Sequence, residues 1–303
     1  MIEGLFDRAA SLLERRFLKN AFLPVLLVAP AAAAPALVQE DLLARLIRWW
    51  DGQATTVQFL FLLGYFVTCW FSGAIVASQW RNIIRLYEGY PTMRWRPISR
   101  PAVRWHRGER RRLASNAQGA DYRTYRSYPR ESDILPTRLG NVIRAAETYP
   151  WRRYGVDTIT IWPRIYRVLP QSTISDIQDA RATLEFLLVL SLWFVTVGVG
   201  NVVFAAVLGT TMLGAVLVCG IASFLSYLTY VSAIPAAVEY GEQLRSAFDA
   251  HRLDLLARYR APFPRNLDEE RKQWAELMNF IVSGTALGWI YDNQSIASTT
   301  EMQ

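Results

Sequence analysis

The chain has 303 residues, of which 52% are hydrophobic and 19% are charged, and its formal net charge is +7. Soluble domains carry roughly 25% charged residues, and the composition also excludes a collagen-like chain, a disordered tail and a disulfide-stapled secreted module. Residues 80–182 hold 20 of the 33 basic and nine of the 26 acidic side chains, a local balance of +11, so the remainder sums to −4. The sequence therefore predicts a membrane protein with one basic, water-facing block.

The N-terminal region combines two apolar patterns. Residues 1–21 place apolar side chains on one helical face and charged ones opposite, which indicates an amphipathic helix lying on the membrane surface. Residues 21–38 resemble the apolar core of a signal peptide with an A-x-A cleavage site. The segment in front of it is longer than a usual n-region, so we expect a retained span and keep cleavage as the alternative.

Apolar runs predict four membrane spans, since about 20 apolar residues cross a bilayer as a helix. Residues 57–78, 183–208 and 211–235 are clear candidates, and 22–38, which three prolines interrupt, is the weakest. We thus assign spans one and two, with a short external connector, to 22–79 and a hairpin of spans three and four to 183–236.

The distribution of arginines predicts the orientation. Arginines cluster directly after span two, at Arg81, Arg85, Arg94 and Arg96. Cytoplasmic loops carry an excess of such residues. We therefore expect a multi-pass protein of the bacterial inner (cytoplasmic) membrane, with block 80–182 and both termini in the cytoplasm.

The local patterns of the basic block are mixed. A helix running on from span two should end at Gly89, residues 137–148 should form a second helix, and a third should start at Ser175 and continue into span three. Residues 94–113, an arginine-rich stretch broken by prolines, indicate loops or short strands. Residues 157–162, DTITIW, alternate like a strand. The predicted fold class is mainly α: a polytopic α-helical membrane protein whose cytoplasmic domain is mostly helical, partly irregular, and carries short strands.

Arginines alternate with tyrosines in YRTYRSYPR at 122–130, and block 80–182 contains tyrosine and tryptophan but no phenylalanine. Guanidinium groups pair with phosphates, and aromatic faces stack bases at about 1–3 kcal/mol each. This pattern predicts a phosphate-rich ligand, a nucleotide or a single-stranded nucleic acid. The candidate ligand-binding residues are Arg94, Arg96, Arg104, Arg110, Arg111, Arg112, Tyr122, Arg123, Tyr125, Arg126, Tyr128, Arg130, Arg152 and Arg153.

Three alternative roles would account for the same charge. The arginines are also what the positive-inside rule requires. They suit anionic lipid headgroups, at about 1 kcal/mol per basic residue near the surface. They suit a protein partner as well.

Polar residues inside the predicted spans are candidates for an ion pathway. Glu185 is the only ionisable residue there, and it either pairs with Arg181, one turn earlier, or binds an ion. Hydroxyl and amide side chains form a stripe that either joins helices or lines a pore. The candidate pore-lining residues are Asn201, Ser223, Ser226, Thr229 and Tyr230.

The C-terminal region, 237–303, predicts two helices. An imperfect heptad seam runs from Ala237 to Leu255 and should pack against the basic block or against a second copy of the chain. The second helix should be capped by Asn266 and bury Trp274. Residues 238–303 carry seven basic and ten acidic groups, so we expect one cytoplasmic domain built from both pieces.

No catalytic or metal-binding pattern is present in the sequence. It lacks a P-loop, GxSxG, HExxH and DxD, it has only two histidines, and Cys69 and Cys219 lie inside apolar runs. We therefore predict no enzymatic activity, no metal and no cofactor.

Residues 136–165 carry LGNVIRAAE, YGVD and WPR. This stretch, about a tenth of the chain, resembles a segment of poorly characterised bacterial integral membrane proteins, in which hydrophobic helices flank a cytoplasmic segment. That resemblance implies no catalytic residue. The layout of few spans and a basic domain resembles membrane effectors of bacterial antiphage defence, which oligomerise and permeabilise the inner membrane when a nucleotide or nucleic-acid signal changes.

Together these patterns predict a homo-oligomeric, channel-like effector of the inner membrane, gated by a phosphate-rich ligand at the basic block, with spans three and four lining the pathway. The alternative is a non-conducting scaffold or receptor that docks a protein partner or anionic lipid through that block.

Overall fold

A computed structural model of the chain describes residues 17–33, 40–115, 120–208 and 212–289. These residues form thirteen α-helices and no strand, which confirms the mainly α fold. The helices are α1 (Leu23–Val28), α2 (Glu40–Asp51), α3 (Thr55–Ser78), α4 (Trp80–Glu88), α5 (Tyr90–Met93), α6 (Arg96–Ser115), α7 (Ala120–Arg126), α8 (Arg138–Glu147), α9 (Tyr149–Tyr154), α10 (Thr158–Ile165), α11 (Gln171–Leu208), α12 (Met212–Arg258) and α13 (Leu267–Ser283).

The chain divides into two compact units. The apolar unit comprises the described residues up to Tyr87 together with Arg181–Ala236. The arginine-rich unit comprises Glu88–Ala180 and the described residues from Ala237 onward. Helices α11 and α12 each contribute residues to both units.

The apolar unit contains three helices that are long and apolar enough to cross a membrane, α3, α11 and α12. Most of their apolar surface is exposed within the chain, as expected where lipid or another copy covers it. The first predicted span, 22–38, is different. A shorter apolar helix occupies Asn20–Ala31, and residues 34–39 lie outside the described part of the chain, as do residues 1–16 of the predicted amphipathic helix.

Small residues bring the helices of the apolar unit close together. A Cβ on Gly73 of α3 would lie 3.2 Å from the backbone of Phe22. A Cβ on Gly198 of α11 would lie 3.1 Å from the Cβ of Ala222 on α12. Substitution at either glycine therefore requires the neighbouring helix to shift.

Glu185 of α11 is held by two polar partners. Arg181 donates from Nε to Oε1 at 2.8 Å, which confirms the predicted pair on one helix face. The amide Nδ2 of Asn20 donates to Oε2 at 3.0 Å. A buried carboxylate needs such partners because an unpaired one is costly to desolvate.

The arginine-rich unit is built around one apolar cluster. The predicted seam of α12 supplies Phe248 and Leu255, and α13 supplies Trp274 and Leu277, all of which are buried. The rings of Phe248 and Trp274 lie 6.2 Å apart. The seam thus packs within the chain's own unit, and α13 begins at the predicted cap, where Asn266 accepts from two backbone N–H groups.

Residues 158–162 belong to helix α10, so the strand predicted at 157–162 is wrong. Asp157 caps α10 by accepting from the backbone N–H of Thr160 at 3.0 Å. Ile161 and Ile165 are fully buried one turn apart. The cap and the i,i+4 pair outweigh the short alternation of DTITIW.

Residues 94–113 are also mostly helical, which corrects the prediction of loops or short strands. Helix α6 spans Arg96–Ser115 with Pro101 inside it. Its buried residues Ser99, His106 and Leu113 are spaced by seven, so one face packs along the whole length. Burial of this face compensates for the backbone hydrogen bond that Pro101 removes. Helix α11 likewise starts at Gln171, earlier than the predicted Ser175.

The LGN part of the 136–165 segment fixes the start of α8. The carboxamide of Asn141 is fully buried: Nδ2 donates to the carbonyls of Leu135 and Thr137, and Oδ1 accepts from the N–H of Leu135. Gly140 lies against the carbonyl of Glu88 so closely that a Cβ would overlap it. These residues therefore have a folding role.

Candidate anion-binding cleft

Six arginines line one open cleft of about 520 Å³ in the arginine-rich unit; we call it the arginine cleft. They come from the end of α7 and the loop after it, from α9, from α12 and from α13. The arginines are Arg126, Arg130, Arg152, Arg153, Arg245 and Arg271, and the remaining lining residues are Ala145, Tyr149 and Leu267.

Helix α9 presents two of these arginines. Pro150 occupies its first turn, and Gly155, with φ of +75°, ends it in the left-handed conformation. Arg152 and Arg153 lie in the last turn. Cations are favoured there because backbone carbonyls point outward at a helix C-terminus.

Two tyrosines anchor α9 to α12. The hydroxyls of Tyr149 and Tyr154 each donate to a different oxygen of Asp249 at 2.7 Å. Burial, and then the hydrogen bond to Asp249, raise the pKa of both phenols. Both therefore stay neutral donors at physiological pH, and the backbone that carries Arg152 and Arg153 is fixed against α12.

Arg245 of α12 is the buried cation of the cleft, with 5% of its surface exposed. Its Nη1 donates to Oε1 of Glu242 at 2.6 Å. Oε2 of Glu242 lies 3.7 Å from Nη2 of Arg126, so one carboxylate serves two arginines of the cleft. Burial is the main cause that lowers the pKa of Arg245, and the nearby Arg126 lowers it further.

Arg271 is oriented by the backbone. Its Nε and Nη2 donate to the carbonyl of Arg153 at 3.1 and 2.9 Å. This pair of hydrogen bonds joins α13 to the end of α9. It holds a guanidinium at the edge of the cleft, and Nη1 of the same group lies 3.5 Å from Oδ1 of Asp268.

The cleft has an excess of positive charge. Within the described part of the chain, no carboxylate forms an ion pair with Arg130 or Arg152. Burial lowers the pKa of Arg152, repulsion from Arg130 and Arg110 lowers it further, and Tyr125 and Asp133 oppose these effects. Guanidinium groups brought together in this way favour an anion that can accept several charge-assisted hydrogen bonds.

The cleft unites only four of the predicted ligand-binding residues, Arg126, Arg130, Arg152 and Arg153. Arg110 donates to the carbonyl of Pro129 at 2.8 Å. Arg111 pairs with Glu131, and Arg112 with Glu109. The remaining predicted arginines are exposed and lie outside the cleft: Arg94, Arg96, Arg104 and Arg123.

The three predicted tyrosines each lie under an arginine of the chain. Arg126 lies 5.9 Å from the ring centre of Tyr122, and Arg110 lies 5.4 Å from that of Tyr125. Tyr128 is buried, 4.2 Å from Arg138, and its hydroxyl lies 3.1 Å from Nδ1 of His106. The tyrosines of YRTYRSYPR thus form intramolecular cation–π contacts, one with Arg126 of the motif itself and two with arginines outside it.

Sequence reasoning missed Arg245, Arg271 and Tyr149. Both arginines belong to a C-terminal region with more acidic than basic residues, so its net charge concealed them. One available signal was the position of Arg245, between Leu244 and Phe248 of the predicted seam, where a cation must find a partner.

The candidate pore-lining residues occupy different environments in the apolar unit. Ser226 is buried, and Ser191 of α11 hydrogen-bonds it at 2.9 Å. Asn201 is buried and donates to the carbonyl of Val197, while its Oδ1 has no partner among the described residues. Ser223 is exposed, and Thr229 and Tyr230 are half-buried.

Within the described ranges, no group of three or more histidine, cysteine or acidic side chains has an arrangement that could hold a metal ion.

Comparison with protein-family models, curated proteins and solved structures found no match to this chain. The two resemblances drawn from the sequence therefore stay predictions.

Proposed function

We propose that this chain is a membrane receptor for a phosphate-rich ligand, a nucleotide or a single-stranded nucleic acid, and that it acts in a homo-oligomer as a channel gated by that ligand. The convergence of six arginines on the arginine cleft is the observation that carries the proposal. The setting is the bacterial inner membrane, with the arginine-rich unit in the cytoplasm, where phosphate-bearing ligands are abundant.

The ligand acts through the helices that belong to both units. Helix α12 carries Arg245 and also Ser223, the exposed one among its candidate pore residues. A ligand shifts a conformational equilibrium only if it binds one state more tightly. The cleft meets that requirement if its arginines lie closer together in the open state of the channel than in the closed state. The arginines then repel one another more strongly in the open state, and the bound anion offsets more of that repulsion.

Oligomerisation supplies the rest of the pathway. The three membrane helices of one chain leave most of their apolar surface uncovered. The exposed Ser223 is the candidate pore residue that a symmetric assembly would turn toward its axis.

One observation favours a second function. Ser191 and Ser226 hydrogen-bond each other inside the chain, which uses part of the polar stripe for helix packing. A non-conducting scaffold or receptor, docking anionic lipid or a protein partner through the arginines, would bury the stripe in this way.

Flux from liposomes tests the gated channel. Reconstituted protein should release K⁺ when a nucleoside triphosphate or an oligonucleotide is added. The variant Arg126→Ala/Arg130→Ala/Arg152→Ala should raise the Kd roughly 1,000-fold or more, because it removes three charge-assisted hydrogen bonds that contribute about 1.5–3 kcal/mol each. It should also flatten the salt dependence. The matched control, Arg100→Ala/Arg107→Ala/Arg167→Ala, removes the same charge from exposed positions outside the cleft.

An equal loss of ligand affinity in both triple variants would show that general positive charge, as in lipid attraction, drives binding.

The accessibility of introduced cysteines distinguishes the channel from the scaffold. In a background without Cys69 and Cys219, Ser223→Cys should react with a water-soluble thiol reagent if the stripe lines a pore. Ser226→Cys should stay protected. Absence of reaction at position 223 together with absence of flux would support the scaffold.

A further inference from the structure

We infer that the ligand of the arginine cleft is a compact oligophosphate, a chain of at least three phosphoryl groups that is free or carried on a nucleoside, rather than a single-stranded nucleic acid. This inference rests on the proposed function and narrows its ligand.

Charge density is the first reason. The six arginines face one cavity of about 520 Å³, and two carboxylates of the described part of the chain form ion pairs with them: Glu242 with Arg126 and Arg245, and Asp268 with Arg271. A single strand distributes one charge per nucleotide along its backbone. An oligophosphate concentrates its charge on adjacent phosphoryl groups, so several guanidinium groups can bind it at once.

The small number of aromatic side chains in the cleft is the second reason: among the described residues that line it, Tyr149 is the one aromatic residue. Binding of single strands uses aromatic side chains on which bases stack. Tyr122, Tyr125 and Tyr128 each have a guanidinium within 6 Å of the ring centre. Tyr149, which lines the cleft, lies beneath Arg245, and its hydroxyl is bound to Asp249. A base that stacked on Tyr149 inside the cleft would have to displace Arg245 from that ring.

The third reason is that the cleft combines fixed and unpaired arginines. Glu242 holds Arg245, and the carbonyl of Arg153 holds Arg271. These guanidinium groups are already oriented, which lowers the entropic cost of binding. Arg130 and Arg152, which form no ion pair among the described residues, supply the charge that an oligophosphate neutralises.

Titration of the full-length protein in lipid nanodiscs tests the inference. Tripolyphosphate should bind more tightly than pyrophosphate, and pyrophosphate more tightly than inorganic phosphate. An oligothymidylate of twenty nucleotides should bind at least tenfold more weakly than tripolyphosphate, and tripolyphosphate should displace it. ATP and GTP should bind within a few-fold of tripolyphosphate if the phosphate chain is the determinant. Marked preference for one nucleotide would assign the oligophosphate to that nucleoside.

The double variant Arg130→Ala/Arg152→Ala should weaken tripolyphosphate binding tenfold or more. The matched control variant Arg100→Ala/Arg107→Ala, at exposed positions outside the cleft, should bind tripolyphosphate as tightly as the parent protein. Because the first pair has no ion-pair partner to lose among the described residues, thermal unfolding without ligand should stay close to that of the parent.

The outcomes separate the two proposals. Oligothymidylate that binds more tightly than tripolyphosphate, and that depends on Arg130 and Arg152, would overturn the inference and leave the proposed function intact. If no phosphate compound binds in a way that depends on these arginines, both fail. Oligophosphate binding without ion flux would support the inference and contradict the channel.

Discussion

Nη1 of Arg245 donates to Oε1 of Glu242 at 2.6 Å, one turn earlier on α12. The arginine is 5% exposed, whereas the Glu242 side chain is 41% exposed. The carboxylate therefore compensates a charge that water does not reach, and it partly neutralises the cleft that is proposed to bind an anion.

Replacing Glu242 should have opposite effects on stability and on binding. Glu242→Gln leaves the guanidinium of Arg245 with a weaker partner, and we expect a loss of about 1–3 kcal/mol in the free energy of unfolding. Tripolyphosphate should stabilise this variant more than the parent, since the cleft gains net positive charge. Thermal unfolding with and without tripolyphosphate measures both effects. Glu239→Gln, an exposed change one turn earlier on the same helix, should show neither effect.

Asp249 accepts from Tyr149 and Tyr154, and its removal should loosen α9. Asp249→Leu leaves the hydroxyl of the buried Tyr154 without its acceptor, which costs about 1–3 kcal/mol, with a smaller loss at the half-buried Tyr149. Asp249→Asn keeps one acceptor oxygen, so we expect a smaller loss in the free energy of unfolding than for Asp249→Leu. Asp254→Asn, at an exposed carboxylate of α12, is the control for unfolding experiments. Equal stability of Asp249→Leu and the parent would contradict this anchoring role.

The packing of Gly140 against the Glu88 carbonyl can be tested with two helical glycines. Gly140→Ala places a Cβ on that carbonyl, and we expect it to destabilise the protein by about 1–3 kcal/mol. Gly108→Ala, within α6, meets open space and should be stabilising by about 0.5–1 kcal/mol, because alanine restricts the unfolded chain. Melting temperatures of the two variants should therefore shift in opposite directions.

His106 should make stability depend on pH. Burial, and then the charge of Arg138, lower its pKa to about 4; Glu109 and a hydrogen bond to the backbone of Pro136 oppose this. Below about pH 6.5 the unfolded chain binds a proton that the folded chain does not. The contribution of this residue is thus complete above pH 6.5 and is lost as pH falls toward 4.

The pH dependence of unfolding between pH 7 and 4 measures this effect. His106→Gln should show a smaller loss of stability over that range than the parent. Tyr128→Phe removes the hydroxyl 3.1 Å from Nδ1 but keeps the imidazole buried. It should therefore be less stable and retain the pH dependence. A parent and a His106→Gln variant with identical pH profiles would exclude the linkage.

Local signals predicted much of the fold because they act over a few residues. The three long apolar helices follow from run length and composition, and Asn266 caps α13 as the sequence predicts. The strand predicted at 157–162 was wrong because six residues cannot distinguish alternation from a capped helix that buries Ile161 and Ile165. That decision depends on the core against which the segment packs.

By itself, the sequence determined that the chain has apolar helices of membrane-spanning length and that its arginines are concentrated in one block. The tertiary structure decided which arginines meet. Arg126 and Arg245 are 119 residues apart, and only the packing of α9, α12 and α13 brings them to one cleft. It also covered the tyrosines of YRTYRSYPR with guanidinium groups. Composition shows how much charge a segment carries, but a binding site depends on distances between side chains, which the folded core sets.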